Sequence, residues 1–341
     1  MKQKESVTLS NMEIKENTLI LDLKSDKETT CSIIINNEQT LTTKINGKYH
    51  YEHSLKLTID NRLDIKIQTD ENTIEQTIER DMNSYFEGLK RTMIGKEDYF
   101  FLVNDKNEEI RQHYDKNFTA QIDYEKFKKS IKSKRTFLKN RGIKYNLFVI
   151  PDKSVVLREY LPFKTDEAYR HVDQLKDYVI DLKDIMTKED YLKNDTHITN
   201  LSSLKIVPYI ISKMHNENYE KVREEITKHI SLKEGTHLGD LFTVINWSFN
   251  RNKLYHKNLK IPVQKVILKD DCEEREVPYE FRYISIRESE HIYNPDSISD
   301  KKVLIIRDSS TIQLTQAIFS YYREVFLYWD HWIFNKDLID Y

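Results

Sequence analysis

The chain has 341 residues, 38% of them hydrophobic and 32% charged, and its formal net charge is −2. That is room for two domains, or for one large domain with an appendage, in a globular chain with a heavily charged surface. The balanced charge gives no global pull on a polyanion, Cys31 and Cys272 are too few for a disulfide framework or a zinc site, and no apolar run approaches the ~20 residues of a membrane helix.

The N-terminus, MKQKESVTLSNMEIKEN, lacks the apolar stretch of a signal peptide. The expected location is therefore the cytoplasm, with membrane association only through a partner. Residues 1–80 read as β. Leu19, Leu21 and Leu23 alternate with polar or outward positions, as do Cys31, Ile33 and Ile35, and Leu63, Ile65 and Ile67. Asn46-Gly47 is a two-residue hairpin signal, since both turn positions need positive φ. Short strands with turns between them predict a small β-sandwich, of the immunoglobulin-like or carbohydrate-binding kind.

From residue 81 the pattern changes, and a second domain is expected over 81–341. DMNSYFEGLKRTM reads as helix, and GKEDYFFLVND as a strand or hairpin. Tyr124, Phe127, Ile131 and Leu138 fall at helical spacing, and Gly142 supplies the stop. YNLFVIP (145–151) then reads as a buried strand. YRHVDQLKDY reads as helix before the strand VIDL (179–182), and Leu204, Val207, Ile211 and Met214 mark a further helix. VLII (303–306), a helix over 311–323 and VFLYW (325–329) close the series, and the β-like runs between Lys260 and Ile292 interrupt it. Helix alternating with buried strand predicts α/β architecture, with a parallel sheet covered on both faces.

In such sheets, sites form at the carboxyl ends of strands. Four segments fall there or at helix starts: Pro151-Asp152-Lys153-Ser154, Asp195-Thr196-His197, Gly239-Asp240 and Asp308-Ser309-Ser310. Ser309, at a strand-to-helix turn, reads as an exposed nucleophile beside the free N–H groups of a first helical turn, which can hold an oxyanion. Read alone, the stretch favours a helix cap, for which Asp and Ser are preferred. Asp195 lies two residues before His197, where a carboxylate fixes an imidazole tautomer; capping of the following helix explains the same residues. Lys153 and Arg307 stand where they would meet an anionic substrate or polarise a carbonyl, or where they are simply solvated.

The order of these motifs resembles the SGNH-hydrolase-like acetyltransferases of bacterial polysaccharide O-acetylation, of the alginate acetylation type. The resemblance is carried by NRGIKYNLFVIPDKSVVLREYLP (140–162), by Asp195-Thr196-His197-Ile198 against the family's DTHW, and by Gly239-Asp240-Leu241. GKEDYFFLVND, and VLIIRDSS followed by EVFLYWDHW, extend it over roughly Met82 to the C-terminus. It implies an SGNH-like three-layer sandwich, with Ser309 as nucleophile, His197 as general base and Asp195 as the orienting acid. It also implies an acyl-enzyme at Ser309 and transfer of an acetyl group to a glycan hydroxyl or to water. The glycan would be a cell-surface polysaccharide or its precursor, with an acetyl donor that the motifs do not identify and that a membrane acyltransferase partner would supply. The family pattern departs at Ile198, where Trp is usual, and at Ser310, where Phe is common.

KFKKSIKSKR (126–135) packs six basic residues into one helix, read as a solvated face or as a seat for an anionic glycan. Tyr328, Trp329, His331 and Trp332 would stack on sugar rings or pack on the core. No nucleic-acid motif, glycine-rich phosphate loop or metal-binding motif occurs, so neither cofactor nor metal is expected. The alternative reading is a catalytically inactive carbohydrate-binding or scaffold protein of polysaccharide biosynthesis.

Overall fold

In a computed structural model of the chain, the described residues are 7–15, 18–54, 62–79, 91–105, 108–115, 122–163, 165, 170–241, 260–282, 289–329 and 334–341. The domain boundary expected at residues 80/81, most of the helix expected over 81–93, most of RYISI, and His331 and Trp332 lie outside them. The chain divides into two compact units. One comprises residues 1–118, 158–169 and 244–250, and the other 119–157, 170–243 and 251–341.

The first unit is built on β1 (Thr8–Lys15), β2 (Thr18–Ile35), β3 (Glu38–Ser54), β4 (Arg62–Thr69) and β5 (Thr73–Glu79). All are antiparallel. They form a single sheet of order β1-β2-β4-β5 with β3 on the other edge of β2, and not the two stacked sheets of a sandwich. One edge of β2 changes partner along its length. Thr18–Lys24 pair with β1, and Cys31–Ile35 pair with β4. The sheet curls as a half-barrel, and the Asn72 side-chain amide donates to the Val7 carbonyl at 3.2 Å, tying the β4–β5 turn to the start of β1. Inside the curl lie Leu19, Leu21, Leu23, Cys31, Ile33, Ile35, Leu63, Ile65 and Ile67, the residues whose alternation marks one face in the sequence, together with Ile45. Asn46-Gly47 makes no hairpin turn. β3 runs through it, and Gly47, at φ +81°, faces Ser25 where β2 bulges. The turn is Asn36-Asn37, with φ of +50° and +66°, because asparagine also tolerates the left-handed region. β7 (Phe100–Leu102) is the strand expected in GKEDYFFLVND, and it pairs antiparallel with β6 (Thr92–Ile94), so the end of the stretch expected as helix is strand instead.

The second unit opens with α1 (Tyr124–Lys139). The Asp123 carboxylate accepts the Lys126 N–H at 2.9 Å as its cap, Ile131 and Leu138 are buried, and Gly142 leaves the helix at φ +73°. β8 (Phe148–Val149) follows, then α2 (Lys153–Val156) and β9 (Ile180–Asp181), which runs parallel to β8. YRHVDQLKDY contributes only a short 3-10 turn, His171–Gln174. α3 (Ser203–His215) and α4 (Tyr219–Lys228) come next. β10 (Ile230–Leu238) then pairs antiparallel with β11 (Lys260–Leu268) as a two-stranded ribbon. β12 (Glu273–Glu274), α5 (Tyr279–Arg282), β13 (Glu290–Tyr293), β14 (Ser299–Arg307), α6 (Thr315–Tyr321), β15 (Tyr322–Trp329) and α7 (Lys336–Asp340) complete the chain.

The expected SGNH-like parallel-sheet sandwich is not formed. Most strand pairs are antiparallel, and the parallel ones belong to separate sheets: the two-residue β8/β9 pair, and β14/β15 inside the mixed sheet β12-β13-β15-β14. The reason is local. The crossover from β14 through a 3-10 turn and α6 returns a parallel strand, whereas after β9 the chain is spent on 3-10 turns, α3 and α4 and then enters the ribbon. Among the described residues no helix is long and apolar enough to cross a membrane.

Candidate functional site

All the residues that meet at the candidate site belong to the second unit. Residues 191–198 form a tight loop. Tyr191 and Ile198 close it as an antiparallel bridge, and the Thr199 N–H reaches the Asp190 carbonyl at 2.8 Å. Ile198, at the family's Trp position, is buried and seals the base of this loop.

The PDK segment clamps the loop from one side. The Pro151 carbonyl accepts the Tyr191 hydroxyl at 2.7 Å, and Lys153 Nζ donates to the carbonyls of Leu192 at 2.7 Å and Lys193 at 3.3 Å. Lys153 is only 4% exposed. Its ammonium is thus engaged with backbone at the stem of the loop. Arg307 is also buried. Its guanidinium donates to Glu290 at 2.7 Å and lies over the Trp329 ring at 4.5 Å.

Asp195 is the hub. It is buried, and each of its oxygens accepts two donors. Oδ1 takes the His197 N–H at 2.8 Å and His197 Nδ1 at 2.6 Å. Oδ2 takes the Asp240 N–H at 3.0 Å and His237 Nε2 at 2.7 Å. Burial pushes the Asp195 carboxyl up, but the bonds from His197 and His237 and from two backbone N–H groups outweigh it and hold the group below the usual carboxylate range. Conversely, the bond to Asp195 raises the pKa of His197 against the desolvation that lowers it, and the charges of Asp195, Asp240 and Asp308 add to the rise.

The Gly239-Asp240 segment locks onto the same loop. The Asp240 carboxylate accepts the Thr196 N–H at 2.9 Å and the Thr196 hydroxyl at 2.6 Å. Gly239 makes the approach possible, because a Cβ there would fall 1.8 Å from the Asn194 carbonyl oxygen.

The fourth segment stands beside the others. Asp308 caps the 3-10 turn Ser309–Leu314, its Oδ1 accepting the Ser310 N–H at 2.9 Å. The cap is therefore Asp308, and one N–H of the first turn, that of Ser310, is already bonded to it. Ser309 is half-buried. The Asn200 amide donates to the Gln313 side chain, joining the turn to the segment that follows His197, and Asp308 acts on His197 through space. Among the described residues no hydrogen bond joins His197 to Ser309, and Nε2 of His197 has no side-chain partner.

Asp195, His197 and Asp240 bring ligand-type atoms within 4.8 Å of one another. The four lone-pair positions of Asp195 are nevertheless filled by hydrogen-bond donors, so a cation at this carboxylate would have to displace them. The donor set fits a hydrogen-bond hub that orients an imidazole better than it fits a metal cage. Two members of the hub carry no role in the sequence reading. Asp240 lies in the GDL motif, and His237 lies two residues before it on β10, spaced so that the strand end and the glycine turn both reach Asp195.

No family model matches the chain, and no curated protein does. Among solved structures, Bacillus cereus PatB1 is similar at 14% identity over 61% of this chain and 82% of that chain, with a TM-score of 0.43. The same protein with a sulfonyl adduct gives 11% identity over 70% and 84%, with a TM-score of 0.44. An FMN-binding beta-glucuronidase from Facaelibacterium prausnitzii L2-6 gives 12% identity over 24% of this chain, and the chain spans only 12% of its length, with a TM-score of 0.20. Likenesses this low carry no argument about what the chain does.

Proposed function

We propose that the chain is a serine-dependent O-acyltransferase or esterase acting on acetyl groups of a bacterial cell-surface polysaccharide or its precursor. The observation that carries the reading is the bond from His197 Nδ1 to buried Asp195 at 2.6 Å. It fixes the tautomer so that Nε2 is the nitrogen left to act as a base, beside the turn that bears Ser309. The polysaccharide as substrate rests on the ordered sequence motifs.

In this scheme His197 Nε2 takes the proton of Ser309 Oγ as Oγ bonds to the acetyl carbonyl carbon. The tetrahedral adduct collapses with cleavage of the ester C–O bond, and His197 returns the proton to the departing alkoxide. Acetyl-Ser309 remains. A water or glycan hydroxyl then gives its proton to His197 and attacks the acyl carbon; the bond from that carbon to Ser309 Oγ breaks, His197 returns the proton to Oγ, and acetate or the acetylated glycan leaves. Asp195 stays ionised and stabilises the imidazolium.

Turnover of a small acetyl ester by wild type and by Ser309→Ala tests the reading. It is joined to labelling with a serine-directed phosphonate, the modified residue being located by mass spectrometry. Loss of turnover with the label on Ser309 is expected. Undiminished turnover in Ser309→Ala, or a label on Ser310, overturns the assignment. The lack of a hydrogen bond between His197 and Ser309 among the described residues favours one second reading, a non-catalytic carbohydrate-binding or scaffold protein. That reading requires that neither turnover nor labelling occur.

A further inference from the structure

We propose that His237 is a positioning residue of the site: it holds the second oxygen of Asp195 and shares the charge of that carboxylate with His197. The inference rests on the functional reading above for its use in catalysis, and on geometry for its existence. Asp195 carries one imidazole on each oxygen, His197 Nδ1 on Oδ1 at 2.6 Å and His237 Nε2 on Oδ2 at 2.7 Å. The backbone N–H groups of His197 and Asp240 fill the remaining positions. A carboxylate with four donors is fixed in plane and in rotation, so the imidazole of His197 inherits that orientation. His237 sits near the end of β10, a strand paired along its length with β11.

Sharing has a chemical consequence. A carboxylate with one imidazole concentrates its charge on that ring and raises the ring's pKa. A second donor on the other oxygen draws part of the charge away, whether His237 is neutral or protonated. His237 thereby limits the rise that Asp195 imposes on His197. The charged groups facing His197 are Asp195, Asp240 with its Oδ2 at 3.8 Å from Nδ1, and Asp308 through space. The charged group bonded to His237 is Asp195.

The test is atom-specific. A glutamine places an N–H donor near the position of imidazole Nε2, an asparagine near that of Nδ1, and a leucine places none. In 15N-histidine-labelled full chain, the His197 titration is followed by NMR and assigned by its loss in His197→Gln. His237→Leu and His237→Asn are expected to move the His197 midpoint upward by roughly half a unit to one unit, while His237→Gln keeps it near the wild-type value. The acid limb of kcat/KM for a small acetyl ester should move by the same amount. A purely structural role of His237 would lower activity at every pH alike. An unmoved midpoint in His237→Leu, or equal midpoints in the Gln and Asn variants, overturns the proposal. The readouts separate the two ideas. A His197 shift without any Ser309-dependent turnover overturns the functional reading and leaves the coupling standing. Ser309-dependent turnover with an unmoved His197 overturns the coupling alone.

Discussion

Gly239 lies against the backbone of Asn194 so closely that a Cβ on it would stand 1.8 Å from the Asn194 carbonyl oxygen and 2.3 Å from the carbonyl carbon. Neither atom can rotate away as a side-chain tip would. This contact seats the Gly239-Asp240 segment beside the residue that precedes Asp195, and it lets the Asp240 N–H reach Oδ2.

Gly239→Ala should therefore push the two loops apart and displace Asp195 and His197 together. A misplacement of ~1 Å in a catalytic group costs on the order of 100-fold in rate. We expect a loss of that size in ester turnover, with far-ultraviolet circular dichroism little changed because neither Gly239 nor Asn194 lies in a strand or helix. Wild-type turnover in this variant would show that the close approach is dispensable.

Asp195→Asn should cost roughly 10³–10⁴-fold in kcat, because an amide cannot accept from both imidazoles and the wrong tautomer of His197 results. The pH profile carries the sign. His197 is held above its usual range by Asp195 first, so wild-type kcat/KM falls as pH drops through that raised value, and in Asp195→Asn the acid limb moves to lower pH. Stability follows from both shifts. The lowered pKa of Asp195 stabilises the fold above the ordinary carboxylate range and is lost as pH falls through its folded value. The raised pKa of His197 stabilises below the ordinary imidazole range and is lost as pH rises through its folded value. The stability difference between wild type and Asp195→Asn should thus be largest in mildly acidic solution and shrink on going alkaline. Urea midpoints across pH measure it.

The legible parts of this chain were those set by local period. Leu19, Leu21 and Leu23 declare one face of a strand whatever it pairs with, and Asp123 and Gly142 bracket α1 by cap chemistry alone. The parallel run of VLII beside VFLYW was legible for the same reason, a short crossover between two apolar runs. Sheet membership was not, because β8 and β14 have the same pattern yet find different partners, and pairing over long separations leaves no local mark. Asn46-Gly47 misled because a glycine with positive φ serves a bulge as well as a turn. At the site, Asp195-Thr196-His197 could be read from spacing. His237 could not, being 42 residues away from Asp195 on a ribbon strand.

Lys153 bears on a further measurement. Its ammonium is buried on the carbonyls of Leu192 and Lys193, at the stem of the Asp195 loop. Lys153→Met keeps the apolar stem and removes both charge-assisted bonds, leaving two carbonyls without that donor. We expect a loss of about 2–3 kcal/mol in stability, the range for hydrogen bonds to a charged group. Turnover should fall in kcat, through a slackened loop, with KM little changed. A rise in KM at constant kcat and constant stability would instead make Lys153 a substrate-binding residue.

The first unit carries its own pH dependence, at His113. This imidazole is 1% exposed, and among the described residues neither ring nitrogen has a hydrogen-bond partner. Burial, with the nearby Arg158 charge, lowers its pKa to about 4. In the unfolded chain the group titrates near the ordinary value of about 6.5, so between those limits the unfolded state binds the extra proton. Stability must therefore fall as pH drops through this window. Integrating the difference from pH 7 to pH 5 gives a loss of about 2 kcal/mol, since each pKa unit is worth about 1.4 kcal/mol. His113→Leu, close in volume and without a titrating group, should remove that part of the slope and keep stability at pH 5 nearer its value at pH 7. Urea unfolding of both chains at the two pH values, followed by a probe of the β-rich unit, measures it. Equal slopes in wild type and variant would mean that the ring finds a partner in solution and titrates as an exposed histidine does.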